Sequence, residues 1–238
     1  MSDVVIVTGS SSGIGRAVAE RFAGDGARVI VNSSRSVEEG EILAQALPEA
    51  VYVQGDVARE EDARRLVATA LKRFGRLDVV VNNAGTTRRV PFADLEGADD
   101  GLWERILAVN LMGPWYLSRA AAPALRETQG TILNVGSVAG IIAGGSSLPY
   151  AVSKAALHHL TRTLAQALAP DVRVNAVAPG LVETPWTAGW EANEPIVART
   201  PLGRAATPED IADAVVSLAR SPFVTGQVVV VDGGLTLT

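Results

Sequence analysis

A short apolar run near the start of the chain passes directly into a glycine-rich turn and then into a helical pattern. Residues 4–8 read Val-Val-Ile-Val-Thr, residues 9–15 read Gly-Ser-Ser-Ser-Gly-Ile-Gly, and apolar side chains then recur at helical spacing from Val18 to Ala23. Such a turn, between a buried strand and a helix, lets backbone amides approach a pyrophosphate at the helix N-terminus. The pattern predicts a dinucleotide-binding fold, whereas the same glycines in isolation would indicate only a tight turn.

The rest of the chain repeats this alternation of short apolar runs and amphipathic helical patterns. Further strands are predicted at residues 28–32, 51–53, 77–81, 131–135, 172–177 and 227–231. Helices are predicted at residues 36–47, 59–74, 99–122 and 208–219, and from about residue 150 onwards. Parallel strands need such crossover helices, which cover both faces of the sheet. We therefore predict an α/β fold in which residues 1–238 form a single doubly wound Rossmann domain, with a seven-stranded parallel sheet in the order 3-2-1-4-5-6-7.

Composition and charge exclude several other kinds of protein. The 238 residues are 47% hydrophobic with a net charge of −5, and no basic run exceeds Arg88-Arg89, so no nucleic-acid partner is expected. The chain has no cysteine, which excludes thiolate catalysis and zinc–sulfur sites. The adjacent His158 and His159 point in different directions on a helix, so no metal site is predicted. We see neither a charged leader nor a long apolar span, and we expect a cytoplasmic protein without a membrane segment.

Three polar residues lie where a strand end and a helix start converge. Tyr150 and Lys154 are four apart and therefore share one face of the predicted helix, while Ser137 follows the strand at 131–135. A nearby ammonium lowers the pKa of a phenol, which suits the phenol to exchange a proton with a carbonyl or alcohol oxygen. The serine hydroxyl can hold that same oxygen, so the three residues fit hydride transfer, where charge develops on one atom. Taken alone, Tyr-x-x-x-Lys is also a frequent coincidence on helix surfaces.

The segment 181–204 is too long for an ordinary connection and is predicted to be irregular. It contains Trp186, Trp190 and three prolines. Loops of this length are usually functional, and active-site lids are a common case. We interpret residues 181–204 as a substrate loop. Its two tryptophans either line a substrate pocket or serve as core or subunit-contact residues.

Several short motifs follow one another along the chain. They are Thr8-Gly9-x-x-x-Gly13-x-Gly15, Asp56, Asn82-Asn83-Ala84-Gly85, Asn110, Ser137, Tyr150-x-x-x-Lys154 and Pro179-Gly180. Each motif alone is weak, but together and in this order they resemble the short-chain dehydrogenase/reductase family over essentially the whole chain. The ending at residues 225–237 is similar to that of the β-ketoacyl-carrier-protein reductase branch.

The resemblance implies a role for each of four catalytic residues. Tyr150 would be the acid/base, Lys154 would lower its pKa and hold the nicotinamide ribose, and Ser137 would polarise the substrate carbonyl. Asn110 would fix a water that links Lys154 to solvent. The alternative for Asn110 is a polar residue that kinks its helix.

The resemblance also implies a cofactor site at the ends of the strands. Asp56 would meet the adenine, Asn82 and Gly85 would line the adenosine-ribose side, and Thr184 would bind the nicotinamide carboxamide. The alternative for Asn82 is that it closes a turn after its strand. The full set of expected cofactor contacts is Gly9, Ser11, Ser12, Gly13, Ile14, Gly15, Asn32, Ser33, Ser34, Arg35, Asp56, Val57, Asn82, Ala84, Gly85, Tyr150, Lys154, Pro179, Gly180, Val182 and Thr184.

The end of the second strand favours NADP(H) over NAD(H), with NAD(H) as the alternative. An acid about 20 residues beyond the glycine motif binds the ribose 2′-hydroxyl and repels a 2′-phosphate, and residues 32–34 contain none. Arg35 follows and offers a charge-assisted contact to phosphate. Against this, Ser12 stands where many NADP-dependent relatives carry a second base, and Glu38 and Glu39 would oppose a phosphate if they faced it.

We expect an oxidoreductase that moves hydride between a nicotinamide cofactor and a ketone or secondary alcohol. The substrate would be a 3-oxoacyl thioester of an acyl carrier protein or coenzyme A, or else a free ketone, a steroid or a sugar alcohol. Bases that would meet an acidic carrier are sparse, because residues 126–131 contain only Arg126, and Asp171 follows the Tyr150 helix. The rival functions are a non-enzymatic dinucleotide sensor and a sugar-nucleotide epimerase, which needs more chain after Gly180.

The resemblance further implies a homotetramer, assembled through the long helices and the last strand. The apolar run at 227–231 gives modest support from the sequence itself, because an uncovered apolar edge strand invites association.

Overall fold

Seven parallel strands form one sheet at the centre of the fold. The computed structural model describes residues 2–190 and 193–238. The strands are β1 (Val4–Val7), β2 (Arg28–Ser33), β3 (Ala50–Gln54), β4 (Val79–Asn82), β5 (Thr131–Val135), β6 (Arg173–Pro179) and β7 (Val228–Val231). They pair in the order β3-β2-β1-β4-β5-β6-β7, so the predicted α/β class and strand order are confirmed.

Helices cover both faces of this sheet. They are α1 (Gly13–Gly24), α2 (Val37–Ala46), α3 (Glu60–Phe74), α4 (Asp100–Leu107), α5 (Gly113–Thr128), α6 (Leu148–Leu168), α7 (Asn193–Arg199) and α8 (Pro208–Ala219). Successive side chains of a strand point to opposite faces. In β1, Val5 and Val7 accordingly pack in the core beneath α1, α2 and α8, whereas Val4 and Ile6 pack in the core beneath α3, α5 and α6. This burial on both faces explains why β1 is apolar at every position.

The prediction of one continuous helix over 99–122 is wrong in detail. Helix α4 ends at Leu107, a π-helical turn spans Ala108–Met112, and α5 then runs to Thr128. Two local features lie at this break: Pro114 occupies the first turn of α5, and Gly113 packs so closely on Val57 that a Cβ would lie 2.9 Å from a methyl carbon. Such π turns widen a helix locally and are frequent at functional sites.

The segment 181–204 is not irregular throughout, because it contains α7. Glu191 and Ala192 lie outside the described residues. Every residue of α7 is at least partly exposed. A β-bridge joins Val182, near the start of the segment, to Ala206, which follows its end. Sequence periodicity missed α7 because a helix of seven residues that buries no side chain carries no apolar stripe.

Residues 2–190 and 193–238 show no membrane-spanning helix and no cluster of metal-binding side chains. None of the helices described there is both long and apolar enough to cross a membrane. The same residues contain no group of three or more histidine, aspartate or glutamate side chains placed to hold a metal ion.

Candidate active site

The motif residues gather along one edge of the sheet. Because all strands are parallel, the turns after β1, β4, β5 and β6 emerge at the same carboxyl edge. In the sheet, β2 lies on one side of β1 and β4 lies on the other, so the direction in which strands are added reverses at β1. Ligands of open α/β sheets bind in the crevice at such a switch point.

The glycine turn, residues 9–15, brings its backbone close to neighbouring groups. Gly9 has a φ of +62°, a left-handed conformation that side chains rarely adopt, and a Cβ at Gly15 would overlap the Asn83 amide and the Gly9 carbonyl. The following helix α1 has neither an acidic residue in its first turn nor a side-chain cap. Its first amides therefore lack intrahelical and side-chain acceptors and favour an anion.

Two residues that the sequence analysis did not assign to the site hold this turn in place. The Asn83 side chain donates to the carbonyls of Thr8 (2.8 Å) and Gly9 (3.1 Å). The Thr8 hydroxyl accepts from the backbone N–H groups of Asn83 and Ala84, each at 3.0 Å. Both residues follow neighbouring strands directly, and that position was the available signal.

The residues at the end of β2 and just after it divide into an internal and an exposed pair. The buried Asn32 amide donates to the carbonyls of Val53 (3.0 Å) and Gly55 (3.1 Å), so it ties β2 to β3. The Ser33 hydroxyl donates to the carbonyl of Ser36 at 2.7 Å. Ser34 and Arg35 are exposed, and among the described residues Arg35 has no ion pair. The side chains of Asn32 and Ser33 thus hydrogen-bond to backbone carbonyls, and those of Ser34 and Arg35 face solvent.

Asp56 and Asn82 also differ in what they contact. Asp56 is exposed, and its carboxylate accepts from the backbone of Ala58 at 3.0 Å. The Asn82 amide is buried and donates to the Asn134 side chain (2.8 Å) and the Ser118 hydroxyl (3.3 Å). Asn82 therefore joins β4 to β5 and α5 from inside the protein.

Tyr150, Lys154 and Ser137 converge as expected. Tyr150 stands at the start of α6 and is partly buried, and Lys154 follows one turn later with 4% exposure. The Lys154 Nζ donates to the carbonyl of Val135 at 2.8 Å and lies 5.7 Å from the centre of the Tyr150 ring. Ser137 caps the short 3₁₀ turn after β5, and its side chain lies near enough to Tyr150 to influence the phenol.

Burial sets the protonation states of this group. It raises the pKa of Tyr150 above its ordinary value, and the Ser137 side chain acts in the opposite direction. Burial also lowers the pKa of Lys154 to about 8. The expected lowering of the Tyr150 pKa by Lys154 is not found: burial is the largest influence on that pKa, and the Lys154 ammonium is directed to a backbone carbonyl. Tyr150 is consequently a protonated phenol at neutral pH.

Asn110 fastens the loop after β4 to helix α6. Its Oδ1 accepts from the Thr86 N–H at 2.8 Å, and its Nδ2 donates to the Thr86 carbonyl and the Ser153 hydroxyl, each at 3.0 Å. Ser153 in turn donates to the carbonyl of Tyr150 at 2.7 Å. The π turn places this buried amide between the two elements. The water link to Lys154 stays a prediction.

The segment after β6 closes the cleft from the other side. Thr184 lies against the glycine turn, where a Cβ on Gly13 would come 3.2 Å from its methyl carbon. The Trp186 ring meets Tyr150 edge-on, with centroids 6.4 Å apart, and 42% of this residue is exposed. Trp190 stacks beneath the Arg89 guanidinium, 5.4 Å away. Of the two alternatives for Trp186, the contact with Tyr150 favours a pocket wall.

The remaining expected contacts follow the same strand ends. Pro179 ends β6, and a Cβ on Gly180 would come 2.9 Å from the Cβ of Asp232. Val182 is buried, as are Ser11 in the glycine turn and Val57 beside Asp56.

Comparison with known proteins identifies the family. A family model described as enoyl-(acyl carrier protein) reductase matches residues 9–236. A crystal structure named as a short-chain dehydrogenase/reductase from Burkholderia xenovorans matches with a TM-score of 0.93 and 36% identity, covering 100% of this chain and 99% of that one. The chain belongs to the short-chain dehydrogenase/reductase family. It is a nicotinamide-dependent oxidoreductase.

Relatives in this family include named ketoacyl reductases. A protein named as ketoacyl reductase 2 of the granaticin polyketide synthase from Streptomyces violaceoruber is 54% identical, with 98% of this chain and 96% of that protein covered. The 3-oxoacyl-[acyl-carrier-protein] reductase FabG of Thermotoga maritima is 38% identical, with 98% of each covered.

The residues around the glycine turn fit a nicotinamide dinucleotide. The glycines at 9, 13 and 15 let the turn pack closely on its neighbours, the first amides of α1 suit a pyrophosphate, and Thr184 lies against the turn at Gly13. Residues 32–35, at the end of β2, contain no carboxylate.

Proposed function

We propose that this protein is an NADP(H)-dependent ketoreductase that reduces 3-oxoacyl thioesters to 3-hydroxyacyl thioesters. The observation that carries the proposal is the convergence of the Ser137 and Tyr150 hydroxyls above the buried Lys154. The names of the full-length relatives support the ketone substrate. A thioester on an acyl carrier protein or on coenzyme A is the proposed form, and a free ketone, a steroid or a sugar alcohol is the alternative.

In the proposed reaction Tyr150 gives its proton to the ketone oxygen while Ser137 donates a hydrogen bond to the same atom. When bound, the nicotinamide supplies the hydride. The raised pKa of Tyr150 supports the reductive direction, because only a protonated phenol can donate. Lys154 supplies positive charge beneath the phenol as negative charge develops on the oxygen.

The ketone is favoured over an alkene although the matching family model is described as an enoyl reductase. Reducing an activated alkene ends with a proton on carbon. Two hydroxyl groups that converge on one point instead suit a single oxygen that gains charge. The contact between Ser137 and Tyr150 provides that arrangement.

Arg35 supports the choice of NADP(H). It is exposed just beyond β2 and has no ion pair among the described residues, so its guanidinium is available for a 2′-phosphate. Ser34 is exposed beside it and offers a hydroxyl donor. Asp56 is likewise exposed and is proposed to meet the adenine. Asn32, Ser33 and Asn82 would support the site through the backbone rather than by side-chain contact.

We also propose that residues 1–238 act as one domain with 181–204 as its substrate segment, and that the protein is a homotetramer. The exposed Val229 and Val230 of β7, at 38% and 41%, support an association that covers this edge. A light-scattering mass near the 24.8 kDa of one chain would refute the tetramer.

The direct test follows cofactor oxidation by absorbance with a panel of substrates. The acetoacetyl thioesters of N-acetylcysteamine and coenzyme A would be compared with cyclic ketones and secondary alcohols, each with NADPH and NADH. We expect the highest kcat/KM with a thioester and NADPH. Turnover of alcohols only, or none with any ketone, contradicts the proposal.

A further inference from the structure

His158 is a buried histidine that neither the fold nor the proposed reaction explains. It lies on α6 one turn beyond Lys154, on the same helix face, and is 3% exposed. Its Nε2 is buried and makes no hydrogen bond with any residue that the structure describes. A buried polar atom without a partner lowers the free energy of unfolding, whereas an apolar side chain here would leave no such atom.

The imidazole lies directly beneath the segment that carries Ser137. A Cβ on Gly136 would overlap the His158 Nε2, and a Cβ on Gly140 would come 2.9 Å from its Cε1. These two glycines flank Ser137 and its 3₁₀ turn. Both ends of the segment 136–140 therefore contact the ring of His158, and the Gly140 end also packs against the backbone of α6.

Contacts with β6 and with the backbone of α6 also hold this segment, since a Cβ on Gly140 would come 2.6 Å from the carbonyl carbon of Lys154 and 2.7 Å from the Ala155 nitrogen. On its far side, the Gly136 N–H donates to the carbonyl of Val177 in β6 at 2.8 Å. The Ser137 hydroxyl accepts from the Ala139 N–H at 3.2 Å, which is a bond within the turn itself. The segment is thus held between β6 on one side and α6 with its His158 imidazole on the other, and the Ser137 side chain interacts with Tyr150.

His158 supports the segment without adding charge. Burial lowers the pKa of His158 to about 4, the positive charges of Lys154 and Arg162 act in the same direction, and a hydrogen bond with the backbone of Gly140 acts against them. The imidazole is therefore neutral at neutral pH. A cation at this position would oppose the ammonium of Lys154 one turn away.

We propose that His158 is a positioning residue whose neutral imidazole sets where the Ser137 hydroxyl stands relative to Tyr150. The inference rests on the proposed function, in which these two hydroxyls act on the substrate oxygen. Displacement of a reacting group by a fraction of an ångström lowers the rate of chemistry more than it lowers binding. The effect of removing the ring should therefore fall on kcat and not on the cofactor.

The first experiment compares His158→Leu with His159→Leu, its exposed neighbour on the same helix. In His158→Leu we expect kcat to fall about tenfold or more, with the cofactor dissociation constant changed less than about twofold and Tm unchanged or raised. His159→Leu should match the wild type in all three. Wild-type kcat in His158→Leu would overturn the proposal.

A double-mutant cycle then separates positioning from a general structural effect. If His158 acts through Ser137, adding His158→Leu to Ser137→Ala should change kcat by less than about twofold. Independent, multiplying effects of the two substitutions would overturn the proposal.

Amide hydrogen exchange tests the support without any turnover, which keeps this inference distinct from the proposed reaction. The segment 136–140 should exchange faster in His158→Leu than in the wild type or in His159→Leu. Unchanged exchange there would overturn the positioning role even if the enzyme reduces ketones. Faster exchange in a protein without ketone turnover would instead contradict the proposed function alone.

Discussion

The glycine turn and the segment 181–204 border the same cleft but are held in different ways. In the turn, the buried Ser10 hydroxyl donates to the Val7 carbonyl and accepts from the Asn32 N–H, at 2.8 and 2.9 Å. In the segment, the Thr187 hydroxyl donates to the Val182 carbonyl, a bond within the segment itself. Every residue of α7 there is at least partly exposed.

The glycine turn therefore has a backbone fixed by the fold, whereas the segment 181–204 can change its conformation more easily. Buried hydrogen bonds between neighbouring strands fix the backbone of the turn, and its shape therefore depends on the whole sheet. A segment with few buried contacts opens at a lower free energy than the core and tolerates changes of its side chains. We expect residues near the glycine turn to determine which cofactor binds, and residues of the segment 181–204 to determine which substrate binds.

The largest expected effect comes from Tyr150, which lies between the two regions. Tyr150→Phe removes the proton donor while keeping the ring, so kcat should fall about a thousandfold, within the range for positioned proton transfer. Cofactor affinity, measured by fluorescence titration, should change little because the substitution leaves the glycine turn and the segment 181–204 in place. A variant that keeps most of the wild-type rate would show that Tyr150 is not the proton donor.

The next largest effect concerns the buried His158 and the stability of the protein at acidic pH. The pKa of His158 is about 4 in the folded protein, below its ordinary 6.5, so the unfolded chain binds the proton more readily. The free energy of unfolding should therefore fall as the pH drops from 6.5 towards 4, by up to about 3 kcal/mol.

Urea unfolding at several pH values measures this loss. Carboxylates with lowered pKa values, such as Asp210, add their own loss at lower pH, so the comparison is between variants. In His158→Leu, the fall in the free energy of unfolding between pH 6.5 and pH 4 that comes from the histidine should be absent. In His159→Leu it should remain. Equal pH dependence in both variants would contradict the prediction.

Arg35 tests whether the turn side sets the cofactor. Arg35→Ala should raise the KM for NADPH about ten- to a hundredfold, since a hydrogen bond to a charged group contributes roughly 1.5–3 kcal/mol. The KM for NADH should stay nearly constant. Arg73→Ala removes an equal charge at the C-terminal end of α3 and serves as the control. Equal changes for both cofactors would remove Arg35 from phosphate recognition.

The smallest expected effect tests the substrate side. Trp186→Ala removes the ring that meets Tyr150 edge-on and should raise the KM for an apolar ketone about tenfold, because an aromatic contact surface is lost. The KM for the cofactor should not change. Leu202→Ala, in the same segment and 71% exposed, is the matched control. If the cofactor KM rises instead, the two regions are not separate in function.

Much of this site was predictable from the sequence because its signals are local. The spacing of Tyr150 and Lys154 defines one helix face, and an apolar β1 followed by Gly9 predicts a strand and a turn. The alternation of strands and helices leaves few topologies, and the observed strand order is among them. These inferences need only neighbours within a few residues.

Only the tertiary structure decided what distant residues do to one another. The sequence alone suggested that Lys154 lowers the pKa of Tyr150, but burial raises it, and burial depends on elements far apart in the chain. Asn32 and Asn82 were expected at the cofactor, yet their amides satisfy buried groups of other strands. Of two adjacent histidines, the fold buries His158 and exposes His159. The sequence determined which groups the chain carries and in what local geometry. The packing of distant elements decided which of them lose water, and desolvation and pairing set their chemistry.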